Sequence, residues 1–421
     1  MPGDTCESNY GRLLHCGSKG DDTMAYFKSP KILYGKGILK RLGLEIRGKG
    51  TKAVLITDKT MEKLSARVVE VVEGAAFEVK VWNGAEPEPS TDVAREAGNI
   101  LLDFGPDLVI GFGGGSSIDT AKAAWILYAQ PNLDANQLDT FVNPKTLLEL
   151  RKKAFFVAIP TTSGTGSEAN WAVVLTDKQN NRKIAFANNE IVPDMAVLDP
   201  EFTVSMPKTL TASTGLDVLG HALDGYTARQ QTDFSDGLCL QAIKICFEWL
   251  PKACRDGDDL TAREKMQNAA AIAGLGFGNS NTSLCHALAH SLGVTFTIPH
   301  GRAVGLALPN SLEYISANPP LPNAPDPVQR LAAVARFVGI DAGSDKEAIE
   351  TLLERIENLE REIGEPSSLK EAGVTEKQVE ENIDTLTSLA SKDVNMFSSP
   401  CECSGEKLAQ LFRRIWSGRK S

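Results

Sequence analysis

The feature that most constrains the fold is a series of short apolar runs in the first half of the chain, separated by helical patterns. AVLIT at 53–57, DLVIGF at 107–112, FFVAI at 155–159 and MAVL at 195–198 are short and nearly unbroken, the pattern of strands buried on both faces. Helical patterns lie between them at 61–73 and 91–104, the second with Ser90 or Thr91 available as N-cap. Strands alternating with helices predict a parallel sheet covered on both sides. After about residue 205 the strand signals nearly vanish, and helical stretches follow at 207–229, 235–250, 261–277, 283–293 and 346–363. The last places Ile349, Leu352, Leu353, Ile356, Leu359 and Ile363 on one face, and Gly364 and Pro366 stop it. The proline-rich stretch 318–327 reads as a surface connector. The expected architecture is a Rossmann-like α/β domain over 24–205 followed by an all-helical domain over 206–421. Residues 1–23 lack the apolar core of a signal peptide. They read as a loose extension or an upstream start ahead of Met24, with no function assigned.

With 42% hydrophobic and 23% charged residues the chain has the balance of a folded globular protein. A net charge of −10 argues against nucleic acid or an anionic membrane as partner, since such surfaces demand a basic face. No segment approaches the roughly 18 apolar residues of a membrane span. The eight cysteines follow no regular spacing, and a chain of this length builds its core without cross-links. Reduced thiols and a cytoplasmic location are expected. Cys401 and Cys403 lack the second thiol pair that a soft-metal site needs.

The chemistry is concentrated in the histidines. There are five, and four of them are His221, His286, His290 and His300. Asp217 and His221 are four apart, as are His286 and His290, so each pair shares a helix face. His300 follows Pro299 in a loop or at a helix entrance. Two helices and a connection can thus bring one carboxylate and several imidazoles to a point. A lone histidine is usually a satisfied core or surface residue; four in helices otherwise built from Ala, Leu and Gly point to a metal site. The N/O ligand set suits Fe²⁺, Zn²⁺ or a related ion.

A second signal is 107-DLVIGFGGGSSIDTAKAA-124, an apolar strand running through three glycines into a helix. Gly113, Gly114 and Gly115 permit positive φ and close ligand approach. Ser116, Ser117 and the amides after them sit at a helix N-terminus, which favours a pyrophosphate. Asp58, ending the AVLIT strand, is placed to accept from an adenosine ribose and to repel a 2′-phosphate, which favours NAD over NADP. It is equally placed to cap the helix beginning near Met61. A third polar turn, 160-PTTSGTGSE-168, follows FFVAI at what would be the sheet's carboxyl edge.

GGGSSIDTAKA, PTTSGTGSE, TGLDVLGHALDGY and HALAHSLGVTFTIPHG, in that order, resemble the iron-dependent (group III) alcohol dehydrogenases, from about Met24 almost to the C-terminus. That family includes lactaldehyde reductase, 1,3-propanediol dehydrogenase and the alcohol dehydrogenase half of bifunctional aldehyde–alcohol dehydrogenases. The resemblance implies the dehydroquinate synthase-like superfold, with the site between the two domains. It implies Asp217, His221, His286 and His300 as metal ligands, and His290 as the residue that passes the alcohol proton towards solvent. Gly114, Gly115, Ser116 and Asp119 match its pyrophosphate turn. Thr161, Thr162 and Lys183 match positions lining the phosphates and nicotinamide ribose, and Asp58 the reader of the adenosine ribose. The activity implied is reversible hydride transfer between NAD(H) and a small primary alcohol or aldehyde, in a homodimer or larger homo-oligomer.

Two segments depart from the family: Ala169-Asn170-Trp171 where a Val-Thr pair is frequent, and 396-MFSSPCECSG-405 where many members carry Asn-Pro-Arg. Both bear on the substrate pocket. Phe277 matches an apolar wall over the substrate, and reads equally well as a buried helix aromatic. The rival readings are an NAD- and metal-dependent lyase with no net redox change, and a scaffold subunit that retained the fold.

Overall fold

The computed structural model describes residues 27–143, 145–180 and 182–419; the expected extension over 1–23 lies outside them. The first half contains β1 (Lys31–Tyr34), α1 (Leu39–Ile46), β2 (Lys52–Asp58), α2 (Glu62–Glu73), β3 (Glu78–Ala85), α3 (Thr91–Phe104), β4 (Leu108–Gly113), α4 (Gly115–Ala129) and the short α5 (Leu138–Phe141). β5 (Phe155–Pro160), β6 (Ala172–Asp177), β7 (Arg182–Ala187) and β8 (Met195–Leu198) complete it. Six strands form one parallel sheet in the order β1-β8-β5-β4-β2-β3, while β6 and β7 make a separate antiparallel hairpin.

The period-2 geometry of a strand sorts each apolar run between two cores. Val54, Ile56, Val109, Phe156 and Ala158 pack beneath α3 and α4. Ala53, Leu55, Ile110, Val157 and Ile159 face α1 and α2. The four runs read from the sequence are β2, β4, β5 and β8. Those not anticipated are the two sheet edges, β1 and β3, and the hairpin. β3 alternates exposed and half-buried positions, and Tyr34 of β1 is 65% exposed. An edge strand needs no continuous apolar run.

The second half is helical: α6 (Lys208–Thr227), α7 (Asp233–Arg255), α8 (Leu260–Phe277), α9 (Leu284–Phe296), α10 (His300–Ala317), α11 (Pro327–Phe337), α12 (Asp345–Ile363), α13 (Glu376–Glu381), α14 (Ile383–Lys392), a 3₁₀ turn over Val394–Ser398, and α15 (Glu406–Ser417). α6 is buried on nearly every side, so it runs through the centre of this core rather than lying on it. α12 begins at Ser344, whose hydroxyl accepts from Glu347 N–H, and ends at Gly364 with φ +84°, the expected stop. Among the described residues no helix is long and apolar enough to cross a membrane.

The halves meet where the turn after β5 touches α8. A Cβ on Gly166 would lie 2.7 Å from the Gly274 Cα, and one on Gly274 would lie 2.7 Å from the Gly166 carbonyl oxygen. This backbone-to-backbone approach admits no side chain at either position. It brings the carboxyl edge of the sheet against the helix that ends beside α6.

Candidate metal centre and cofactor turn

Three elements supply the centre. α6 presents Asp217 and His221 one turn apart, α9 presents His286, and His300 is the first residue of α10. Asp217 Oδ1 is the hub: His221 Nδ1 lies 3.6 Å away, His286 Nε2 3.7 Å and His300 Nε2 3.3 Å. One ligand atom from each of the four falls within 4.8 Å of all the others. Asp217 Oδ1, His221 Nδ1 and His286 Nε2 are buried and have no hydrogen-bond partner.

Three orphaned polar atoms facing one point are costly in a packed interior unless something satisfies them together. A divalent cation does so, and the donor chemistry fits one. His300 has a 42% exposed side chain, so the cluster is closed on three sides and open on the fourth. Phe277 closes one of them, stacked on His221 with ring centroids 4.2 Å apart and planes 14° from parallel. It is thus a buried helix aromatic packed on a candidate ligand.

The electrostatics of the cluster suit a bound cation. Burial pushes the Asp217 carboxyl up, but the surrounding imidazoles outweigh it and hold the group well below its usual value. Burial drives His221 down to about 3, a neutral imidazole. His286 is also pushed down by burial, yet its contacts with Asp217 and Asp224 raise it to about 9.

Asp224 is a residue that sequence reasoning missed. Its Oδ2 lies 2.8 Å from His286 Nδ1 and accepts from the backbone N–H groups of Ser283 and His286, while Oδ1 accepts from the Ser283 hydroxyl. A carboxylate from α6 therefore covers the start of α9 and leaves His286 Nε2 pointing at Asp217. The signal was present: 217, 221 and 224 share one helix face. Asp393 was missed as well. It holds His290 Nδ1 at 2.8 Å from 103 positions away, and no local pattern could have found it. His290 is one third exposed, its ring centroid 5.3 Å from that of His300.

At the sheet edge, Gly113 takes φ +140°, where a Cβ would lie 2.6 Å from the Ser117 hydroxyl. Gly114 is the N-cap of α4 with no side chain bonded over the helix start, so the first amides, at Gly115 and Ser116, are open to an anion. Thr161 N–H donates to Gly113 O at 2.9 Å, and Thr162 faces Gly114. Asp58 caps the turn after β2 by accepting from Thr60 N–H at 2.8 Å, and its other oxygen accepts from the Ser117 hydroxyl. It therefore caps and stands beside the glycine turn.

Two of the residues expected to line the cofactor are engaged elsewhere. Asp119 has both oxygens occupied, by the Ser167 hydroxyl and Val174 N–H, and braces the turn after β5. Lys183 lies on the hairpin with its ammonium paired to Glu88 at 2.9 Å and to the Thr176 hydroxyl at 3.1 Å. Trp171 donates its indole N–H to Gly278 O, directly after Phe277. Cys401 and Cys403 are buried, and Cys401 donates to the carbonyls of Ile315 and Asn318.

The model of the iron-containing alcohol dehydrogenases matches residues 29–200, and that of the C-terminal part of the Fe-containing alcohol dehydrogenase family matches 211–416. A NADPH-dependent butanol dehydrogenase of Clostridium saccharobutylicum is 34% identical over 94% of this chain and 99% of its own. The bifunctional aldehyde-alcohol dehydrogenase AdhE of Escherichia coli (strain K12) is 34% identical over 96% of this chain, which spans 47% of that longer protein. A solved 1,3-propanediol oxidoreductase superposes with a TM-score of 0.84 at 29% identity, covering 93% of this chain and all of the other.

Proposed function

The chain belongs to the iron-containing alcohol dehydrogenase family, and on that premise we propose that it transfers hydride reversibly between a small primary alcohol and NAD⁺, using one divalent ion, Fe²⁺ ahead of Zn²⁺, held by Asp217, His221, His286 and His300. The observation that carries this reading is the convergence of three buried, unpartnered ligand atoms beside an exposed fourth ligand. Membership sets aside the lyase reading, and the presence of all four ligand residues in one cluster argues against a scaffold that merely retained the fold. The proposed units are an α/β domain over 24–205 and a helical domain over 206–421.

When bound, the ion supplies Lewis acidity toward the alcohol oxygen, the effect that lowers a water's pKa from about 15.7 to about 7 in the best-known zinc case, and the nicotinamide supplies the hydride acceptor. The chain's own residues do the rest. Asp224 keeps the His286 ring turned to the centre, and Phe277 shields the far face of His221 from water. His300, at the open side, marks where substrate enters. His290 accepts the hydroxyl proton at Nε2 and hands it to solvent, while the carbinol hydride leaves for the cofactor.

The amides at Gly114, Gly115 and Ser116, with Thr161 and Thr162 opposite, hold the pyrophosphate. Asp119 contributes by bracing that turn, and Lys183 reaches a phosphate only by releasing Glu88. The choice of NAD rests on Asp58, since a family with a NADPH-dependent member does not decide it. The reading extends to a homo-oligomeric cytoplasmic enzyme, supported by β1 standing at the sheet edge among the described residues and by their buried free thiols.

The test is metal analysis of protein purified without oxygen, followed by NADH oxidation at 340 nm over short aldehydes. His286→Ala is expected to lose both ion and turnover. A metal-free His286→Ala protein with full activity would overturn the assignment.

A further inference from the structure

The two imidazoles of α9 are built alike. His286 and His290 stand one turn apart, and each has its Nδ1 taken by a carboxylate from another element, Asp224 and Asp393, both at 2.8 Å. Asp224 comes from the helix that carries two ligands. Asp393 comes from the end of the chain, at the N-cap of the 3₁₀ turn over Val394–Ser398. Its two oxygens are divided. Oδ1 accepts from Asn395 N–H at 2.9 Å, and Oδ2 is left for the histidine. The turn itself is tied down, because Asn395 Oδ1 accepts from the Thr282 hydroxyl at 2.6 Å in the connection between α8 and α9. The Asp393 side chain is 14% exposed, so its rotamer is set by these contacts.

A carboxylate only accepts. Its partner nitrogen must carry the hydrogen, and in the neutral ring the opposite nitrogen is left with its lone pair. We propose that Asp393 is a positioning residue for the reaction: it fixes the His290 ring and its Nδ1–H tautomer, so that Nε2 is free to accept the proton released from the alcohol. The C-terminal turn, which carries none of the four candidate metal ligands, thereby becomes part of the active site. The inference rests on the reading of His290 as proton carrier.

Asp393→Asn and Asp393→Ser separate this role from capping. Serine keeps an N-cap oxygen for the turn and loses the reach to His290. Asparagine keeps the cap oxygen but turns an N–H₂ toward Nδ1, which forces the other tautomer. The measurement is the rate constant for NADH formation in a single turnover, with alcohol KM, bound metal and thermal midpoint determined beside it. In both variants that rate constant falls about tenfold to a hundredfold, with KM, metal content and midpoint unchanged, and neither change slows His290→Ala further. Equal slowing by Asp393→Asn with and without His290, or wild-type rates in both variants while His290→Ala is slow, overturns the role of Asp393 alone. A His290→Ala enzyme at the wild-type rate overturns the proton-carrier reading, and this inference with it.

Discussion

Asp217 and Asp224 lie on the same face of α6 and do opposite work. Asp217 keeps an oxygen unpaired at the centre, whereas Asp224 spends both of its oxygens on the start of α9. Replacing Asp224 by Ala frees the His286 ring and is expected to weaken ion binding about 10- to 100-fold, read as the dissociation constant for Zn²⁺ in a competition titration. Unchanged affinity would reduce Asp224 to a helix cap. Asp58 caps its turn and stands beside the glycine turn, and on the proposed reading it also faces the adenosine ribose. Like charges about 4 Å apart repel by about 4 kcal/mol at an effective dielectric near 20. Asp58→Ser retains a cap and is expected to raise kcat/KM with NADPH about tenfold or more, relieving only part of that repulsion. That Asp217 and several histidines would cluster was legible from spacing and from the scarcity of histidine, while the resemblance, not the spacing, set His290 apart from the other four. The partners at Nδ1 were not, because hydrogen-bond acceptors are common residues and only proximity singles one out.

At the scale of elements, the turn after β5 is held from beneath by a buried group of charges. Lys122 of α4 donates to the carbonyls of Asn170 and Ala172, and Glu168 lies buried with one oxygen unpaired. Burial pushes Glu168 up to about 7 and Lys122 down to about 8. An acid whose folded pKa stands above its unfolded value of about 4.3 contributes stability that is complete below that value and lost as pH rises through 7. For the lysine the folded pKa is depressed, so stability recovers between about 8 and about 10.4. The thermal midpoint should therefore fall from pH 5 to 7, and Glu168→Gln should flatten that limb. An identical slope in the variant would place the effect in other groups. This network was invisible in the sequence, where Lys122 and Glu168 fall in separate motifs with no local pattern to join them. The central strands were legible because burial on both faces demands continuous apolar runs; β1, β3 and the hairpin were not, because each has an exposed side.

Across the whole molecule the two halves meet at the contact of Gly166 with Gly274, while the proposed ion draws all four of its ligands from the helical half, the domain of about 200 residues whose stability it would raise. Metal bound only by the folded state stabilises it by mass action, about 2.7 kcal/mol at a hundred times Kd. For a domain of this size that is a melting shift of about 5–10 °C, so chelation should lower the midpoint by that amount, and re-addition of Fe²⁺ should restore it. A midpoint indifferent to chelation would mean that the four ligands are not sharing an ion. What the sequence determined by itself was local and periodic: which runs are buried strands, which stretches are helices, where the glycine turn opens a helix to an anion, and which side chains share a helix face. Such properties follow from backbone geometry and the neighbours of each residue. Only the tertiary structure decided that His300 opens α10 beside Asp217, that Asp224 and Asp393 take the Nδ1 atoms of His286 and His290, and that Lys183 is paired with Glu88. Those are contacts between atoms far apart in the chain, set by how the packed halves meet, and no local pattern encodes them.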